Sequence, residues 1–342
     1  MIKVAINGFG RIGRLAFRLL LEEENVEVKM INDLTDSKML AHLLKYDTSE
    51  GILNKNISYN EKGIIVDNKL IDVYSKQDPT NLPYKEYDID IVLECTGLFT
   101  TYEKAVNHIK AGAKKVIISA PSKDENIKTI VYNVNHENLN KNDNIISCAS
   151  CTTNCLAPVL KLINDNYKIN IGYMNTIHAY TNDQNLLDLP HKKGDLRRAR
   201  AAASNIVPTS TGAASAIGKV ITELDGRIDG SAYRVPVVSG SIIELTLELE
   251  KRVTEEEINE LFKKNINETL GYNDEEIVSS DIIGIKQGSL FDSTLTKVIT
   301  TEDKQLVKVS SWYDNEMSYT AQMIRTLKYL GELKWKEKEK NI

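Results

Sequence analysis

Residues 7–13 read NGFGRIG and set Gly8, Gly10 and Gly13 in a G-x-G-x-x-G array. Such an array alone constrains little. This one follows IKVAI (2–6), a short apolar run of strand character, and opens RIGRLAFRLLLEEE, where Ile12, Leu15, Ala16, Leu19 and Leu20 recur at helical spacing. A second strand-like run, VEVKMIN, leads to Asp33, 20 residues after Gly13. Strand, glycine turn, helix, strand and acid in that order are the sequence of a dinucleotide-binding βαβ unit. Gly8 allows the tight turn, Gly10 lets the backbone approach a pyrophosphate, and Gly13 lets helix and strand pack closely. The helix N-terminus offers unpaired N–H groups and a positive dipole end to the phosphates. Asp33 would accept hydrogen bonds from a ribose diol and repel a 2′-phosphate, and Leu34 beside it brings no cation, so NAD is favoured over NADP. The competing reading is a glycine-rich turn with an exposed aspartate.

The pattern continues. DIDIVLECTGLF (88–99) contains a buried strand ending at Thr96-Gly97, and KKVIISAPS (114–122) another ending at Ser119. YEKAVNHIKAGA between them reads as a helix. Alternating strands and helices imply an α/β fold with a Rossmann-type, doubly wound parallel sheet. Ligands of such sheets sit beyond the strand carboxyl ends, where Thr96, Gly97 and Ser119 fall; each of the three could equally be ordinary loop chemistry. His108 and His136 read as surface residues.

At 342 residues the chain is long enough for two domains. Its 43 Lys and Arg against 48 Asp and Glu give a formal charge of -5, which argues against nucleic acid as the primary partner. No apolar run approaches the roughly 20 residues of a membrane helix, and the N-terminus opens at once on a strand rather than a signal peptide. The expected location is the cytoplasm. Four cysteines in this length do not make a disulfide scaffold.

Three of those cysteines lie together in NIISCASCTTNCLAPVLKLI, which runs from a strand into a helix. Ser150 is a plausible N-cap. Cys151 then falls in the first turn, where the helix dipole lowers a thiol pKa, and Pro158 should kink the helix. Cys155, one turn on, reads as packing. Cys148, Cys151 and Cys155 have the C-x2-C-x3-C spacing of a metal site, but a strand end and a helix would not converge three sulfurs, and no second cysteine pair follows; no metal is expected. A nucleophilic cysteine needs a base. INIGYMNTIHAYTND (169–183) carries His178, 27 residues on, at the end of the strand after the cysteine's helix. A lone histidine is more often structural; this topology can bring it to the thiol.

Two stretches look built for anions. RRAR (197–200) and PTSTG (208–212) combine guanidinium groups with small hydroxyls and a glycine N–H. Arg234, in SAYRVPV, is a cation inside an apolar strand and needs a partner. The plainer alternatives are a solvated basic loop and a buried ion pair.

In order along the chain, NGFGRIGR, NDLT, ECTG, SAP, ASCTTNCLAP, HAYTNDQ, DLRRARAAA, PTSTGAA, YRVPV and SWYDNE resemble the phosphorylating glyceraldehyde-3-phosphate dehydrogenases from residue 2 to about 330. ASCTTNC with SWYDNE is highly specific. The resemblance implies Cys151 as nucleophile and His178 as base. It implies NAD contacts from Arg11 and Ile12 at the pyrophosphate, Asp33 at the ribose, and Thr96, Ser119, Asn315 and Tyr319 along the dinucleotide. Thr181 and Arg234 would hold the substrate's phosphate, with Arg198 reaching the same region. Ser150, Thr152, Thr211 and Gly212 would hold inorganic phosphate. The loop from about 180 to 203, with Asn182, would line a neighbour's cofactor site in a homotetramer. Two departures stand out: HKKGDLRR is longer than the family's common HKDLRR, and VPVVSGS replaces VPTPNVS.

The resulting expectation is a NAD domain, 1–150, with a C-terminal helix of about 317–335 packed back on it. A catalytic α+β domain with a mainly antiparallel sheet follows at 151–316, and GSIIELTLELEK alternates as one of its strands. The reaction would convert glyceraldehyde 3-phosphate, NAD and inorganic phosphate to 1,3-bisphosphoglycerate. An erythrose-4-phosphate dehydrogenase is the nearest alternative. A semialdehyde dehydrogenase would not need Thr181, Arg234 and PTSTG, and a redox sensor or RNA binder would not need the full Cys151, His178 and Arg234 set.

Overall fold

The computed structural model describes residues 1–333; the charged tail KWKEKEKNI, to which the sequence assigns no function, lies outside them, as does the far end of the helix expected over 317–335. In chain order the regular elements are β1 (Ile2–Asn7), α1 (Arg11–Leu20), β2 (Val26–Asn32), α2 (Ser37–Lys45), β3 (Ile57–Tyr59), β4 (Gly63–Val66), β5 (Lys69–Tyr74), β6 (Ile91–Glu94), α3 (Tyr102–Lys110), β7 (Lys115–Ile118), β8 (Lys128–Thr129), β9 (Ile145–Ser147), α4 (Cys151–Tyr167), β10 (Ile169–Ala179), β11 (Val207–Thr209), α5 (Ala213–Val220), β12 (Ile228–Val235), β13 (Ser241–Leu249), α6 (Glu255–Lys264), β14 (Leu270–Asn273), β15 (Ser289–Thr300), β16 (Gln305–Tyr313) and α7 (Met317–Glu332). They fall into two compact units, Met1–Ala149 with the chain from Met323 onward, and Ser150–Gln322.

The first unit holds one sheet in the order β3-β4-β5-β2-β1-β6-β7-β9-β8. Every pairing from β5 to β8 is parallel, and β3, β4 and β5 add an antiparallel edge. The central strands are apolar without alternation, with Val4, Ala5, Ile6, Val92 and Leu93 all buried, as a sheet covered on both faces requires. Chain order turns back between β1 and β6, which pair in register Asn7 to Glu94. The carboxyl ends of these two strands therefore bound the crevice of a doubly wound sheet. The last turns of α7 pack on this unit. Lys328 pairs with Glu23 at 2.7 Å, and a Cβ at Gly331 would lie 2.2 Å from Ile2 Cδ1.

Two expectations change here. β6 stops at Glu94 rather than at Thr96-Gly97. Cys95 N–H still reaches the Asn7 carbonyl at 2.7 Å, but Thr96 N–H turns back to the Glu94 carboxylate at 2.8 Å and ends the ladder. His108 is not a surface residue: it is fully buried. Its Nε2 lies 3.1 Å from Glu94 Oε2, and its Nδ1 lies 3.1 Å from the Tyr84 hydroxyl. A carboxylate at the end of a buried strand has to be paired, and His108, together with Asn7 Nδ2 and Thr96, supplies the partners. His136 is half-buried, its ring between Tyr132 and Tyr329.

The second unit holds a sheet in the order β11-β12-β10-β13-β16-β15-β14. It is mainly antiparallel, with parallel pairs only at β10/β12 and β14/β15. Helix α4 lies on it, and Pro158 does not interrupt that helix. Cys155 is buried, with Sγ 3.5 Å from Ser289 Oγ and 3.7 Å from the Ser311 carbonyl, so it packs α4 onto the sheet. Among the described residues no cluster of three or more His, Cys, Asp or Glu could hold a metal, and no helix is long and apolar enough to cross a membrane.

Candidate active site

Ser150 is the N-cap of α4. Its hydroxyl oxygen accepts from Thr153 N–H at 3.1 Å, which fixes Cys151 as the first helical residue. Beneath it, Thr152 Oγ1 meets the Tyr313 hydroxyl at 2.9 Å, and the same hydroxyl lies 2.8 Å from Thr176 Oγ1 on β10. Tyr313 thus ties the cysteine's helix to the strand that carries His178, and its ring meets the imidazole edge-on at 5.8 Å. Cys151 Sγ and His178 Nε2 are 3.4 Å apart. His178 Nδ1 lies 2.7 Å from the Ala179 carbonyl. Two partners meet at Nδ1: the Ala179 carbonyl, which can only accept, and Arg234 Nη1, which can only donate; with the proton on Nδ1 toward the carbonyl, Nε2 turns its lone pair to sulfur.

The charge state follows from burial and one cation. The parallel pairing of β10 with β12 sets Arg234 opposite His178. Its guanidinium abuts the Nδ1 edge of the ring and donates to the Ala179 carbonyl at 3.1 Å. Burial first, and the Arg234 cation second, push His178 down to about 3. Burial also pushes the Cys151 thiol above its ordinary value, while Arg234 and hydrogen bonds from Thr152 and the Cys151 backbone work against that rise. The helix dipole was expected to leave a lowered thiol; desolvation outweighs it. Thiol and imidazole therefore both rest uncharged at neutral pH. Cys151 as a residue is half-buried.

RRAR and PTSTG do meet. Arg198 Nη2 donates to Thr209 Oγ1 at 2.7 Å. Its Nη1 lies 3.3 Å from Asp183, which also accepts from the Thr181 hydroxyl and stands 3.7 Å from Arg234 Nη2. Thr181, Arg198 and Arg234 thus converge on one point. Arg200 turns away to Asp188 at 2.9 Å, and Arg197 is exposed.

In the first unit the glycine turn has the geometry its sequence implies. Gly8 has φ +93°, and a Cβ there would lie 2.7 Å from Thr96 N; a Cβ on Gly13 would lie 2.1 Å from the Gly8 carbonyl. The space beside Gly10 is open. Arg11 begins α1 and pairs with Asp47, and Ile12 follows it half-buried. Asp33 accepts from Phe9 N–H at 2.7 Å and Thr35 N–H at 3.0 Å, which pins it at the crevice and leaves lone pairs for hydroxyl donors. Thr96 and Gly97, the latter with φ +72°, edge the β6 side, and Ser119 N–H bonds the Glu94 carbonyl at 2.9 Å.

Residues 2–102 match the family model for the glyceraldehyde 3-phosphate dehydrogenase NAD-binding domain, and residues 150–315 match that for its C-terminal domain. The chain belongs to the glyceraldehyde-3-phosphate dehydrogenase family. It is 59% identical over 333 residues to the glyceraldehyde-3-phosphate dehydrogenase of Clostridium pasteurianum and 57% identical to that of Clostridium acetobutylicum, covering 97% of this chain and 99% of each relative. The enzyme of that name from Streptococcus pyogenes is 55% identical over 334 residues, with the same coverage.

Other positions that the resemblance to glyceraldehyde-3-phosphate dehydrogenases singled out are already engaged. Thr211 Oγ1 accepts from Ala213 N–H at 3.1 Å, and Gly212 caps α5. Asn182 is exposed. Asn315 Oδ1 accepts from the Ser241 hydroxyl at 2.9 Å, and Ser241 in turn accepts from Ala179 N–H at 3.1 Å. That chain turns the Asn315 NH2 group away from Ser241 and ties it to the strand of His178. Tyr319 is buried in the first turn of α7. The family's departures have local outcomes: Gly194, with φ +73°, turns the lengthened loop, and Ser239 donates to Asp314 at 2.9 Å. The sequence left Tyr313, Ser241 and Asp183 unassigned, although each lies within or beside a quoted motif.

Asp33 gives the first prediction. Asp33→Ala removes the acceptor for a ribose diol and the charge that repels a 2′-phosphate, so the dissociation constant for NAD rises about 10-fold or more and that for NADP far less. Equal losses for the two in a fluorescence titration would refute the ribose role.

Proposed function

We propose that this chain oxidises glyceraldehyde 3-phosphate and phosphorylates it, with NAD and inorganic phosphate, to 1,3-bisphosphoglycerate. The observation that carries the reading is the 3.4 Å approach of Cys151 Sγ to His178 Nε2 at the start of α4. The glycine turn, the open space at Gly10, the N-terminus of α1 and the pinned Asp33 carboxylate fit NAD. When bound, NAD supplies the hydride acceptor.

The residues then divide the work. His178 Nε2 takes the thiol proton as sulfur bonds to the aldehyde carbon. The Cys151 N–H at the helix start and the new Nε2–H stabilise the oxyanion. Loss of hydride from carbon leaves a thioester on Cys151. An oxygen of inorganic phosphate attacks that thioester, the C–S bond breaks, and the acyl phosphate departs. Ser150, Thr152, Thr211 and Gly212 hold the attacking phosphate, and Thr181, Arg198 and Arg234 the substrate's own. The second group does more than bind. A phosphate on Arg234 offsets the cation that depresses His178 and makes the imidazole a better base once substrate is seated.

The relatives, each a glyceraldehyde-3-phosphate dehydrogenase, favour glyceraldehyde 3-phosphate over erythrose 4-phosphate. A homotetramer in the cytoplasm fits the exposed Leu186, Leu187, Leu189 and Leu196 on one long loop, since such apolar surface is suited to a subunit contact. The deciding experiment follows reduced-cofactor absorbance with glyceraldehyde 3-phosphate and NAD, with and without inorganic phosphate. Sustained turnover that requires phosphate is the expected outcome. A single burst of about one equivalent per subunit, indifferent to phosphate, would leave Cys151 a nucleophile but refute phosphorolysis.

A further inference from the structure

The point on which Thr181, Arg198 and Arg234 converge holds one of the protein's own anions. The Asp183 carboxylate accepts from the Thr181 hydroxyl, pairs with Arg198 Nη1 at 3.3 Å and stands 3.7 Å from Arg234 Nη2. It lies two residues beyond Thr181 in a loop, with its side chain 38% exposed. Its fit is incomplete. The buried Nε atoms of both Arg198 and Arg234 have no hydrogen-bond partner. Arg198 Nε faces a second carboxylate, Asp195, at 3.7 Å, so Asp183 is the one carboxylate that both guanidinium groups share. A phosphate monoester near neutral pH carries about -1.5 to -2 and three acceptor oxygens, more charge and more acceptors than the Asp183 carboxylate it would replace.

We propose that Asp183 is a built-in competitor for phosphate: its carboxylate fills the Thr181, Arg198 and Arg234 cradle and leaves only when a phosphate ester enters. This rests on the reading of that cradle as the seat of the substrate's phosphate. A monoanionic carboxylate brings no more charge than Asp183 already supplies, whereas a phosphate dianion brings more. Asp183 therefore raises the apparent dissociation constant of every anion at the cradle by the same factor, the reciprocal of the fraction of cradles it leaves open, and so lowers the preference for a phosphorylated over an unphosphorylated substrate.

The test compares kcat/KM for glyceraldehyde 3-phosphate with that for unphosphorylated glyceraldehyde, at saturating NAD and inorganic phosphate. Asp183→Asn keeps the shape and removes the charge; Asp183→Ala removes both. Both should raise the ratio of the two values, by about 3- to 10-fold for Asp183→Asn, through a lower KM for the phosphorylated substrate. An unchanged or lowered ratio, with Arg234→Gln lowering it strongly, would overturn the Asp183 proposal and leave the cradle intact. If Arg234→Gln leaves the ratio unchanged, the cradle reading itself fails.

Discussion

Cys151→Ser should bind NAD with its affinity little changed and turn over at least about 10³-fold more slowly. The physical reason is the match between nucleophile and base. His178 sits at about 3, held down by burial and by Arg234, and even with a phosphate on Arg234 it is a modest base. It can relay the proton of a thiol; an alcohol is several units less acidic and stays protonated beside it. The second half-reaction fails as well. A thioester is a reactive acyl donor and passes its acyl group to phosphate, whereas a serine ester is far less reactive. Cofactor affinity is spared because the glycine turn and Asp33 lie in the other unit of the chain. A coupled assay for turnover and a fluorescence titration with NAD read the two halves separately. Substantial turnover in the variant would remove Cys151 from the chemistry.

How much of this was legible in the sequence depends on the range of the interaction. The glycine turn could be read because its geometry is local: Gly8 and Gly13 meet each other across five residues, and the need for no side chain is written at each position. The N-cap at Ser150 is local in the same way. The Cys151 and His178 pair was reachable through topology, since a helix followed by a strand brings their ends together. Burial was the part that escaped. His108 looked like an exposed helix residue because nothing in its own neighbourhood announces Glu94, 14 positions earlier on a buried strand. The thiol was expected to be lowered by its helix because a dipole is visible in the sequence and desolvation is not. Tyr313 stands 161 residues from Thr152 and 137 from Thr176, so no local pattern reveals that it joins them. Asp183 escaped for another reason. It lies beside Thr181, but its meaning depends on Arg198 and Arg234 arriving from two other segments.

His178→Asn should lower kcat/KM at neutral pH by about 10²- to 10⁴-fold, the usual worth of a positioned base. The pH dependence separates a base from a merely structural ring. The Cys151 thiol rests above its ordinary value, so at neutral pH almost none of it ionises without help. As pH rises toward that elevated value the thiolate forms unaided, and the deficit of the variant narrows. Alkylation of Cys151 should show the same convergence, slower than the native protein near pH 7 and approaching it well above pH 9. An alkylation profile identical to the native one would break the pairing. Stability supplies an independent reading with a definite sign. The folded-state value of His178 is about 3 against an ordinary 6.5, so between those values the unfolded chain binds the proton that the folded chain refuses. Native stability must therefore fall as pH drops through that window, and His178→Asn should flatten the part of the slope that this residue contributes. A denaturant titration at several pH values measures it. The same desolvation and the same Arg234 cation that keep the resting pair uncharged thus make the protein acid-sensitive, because neither can depress a catalytic imidazole without also charging its burial against the fold.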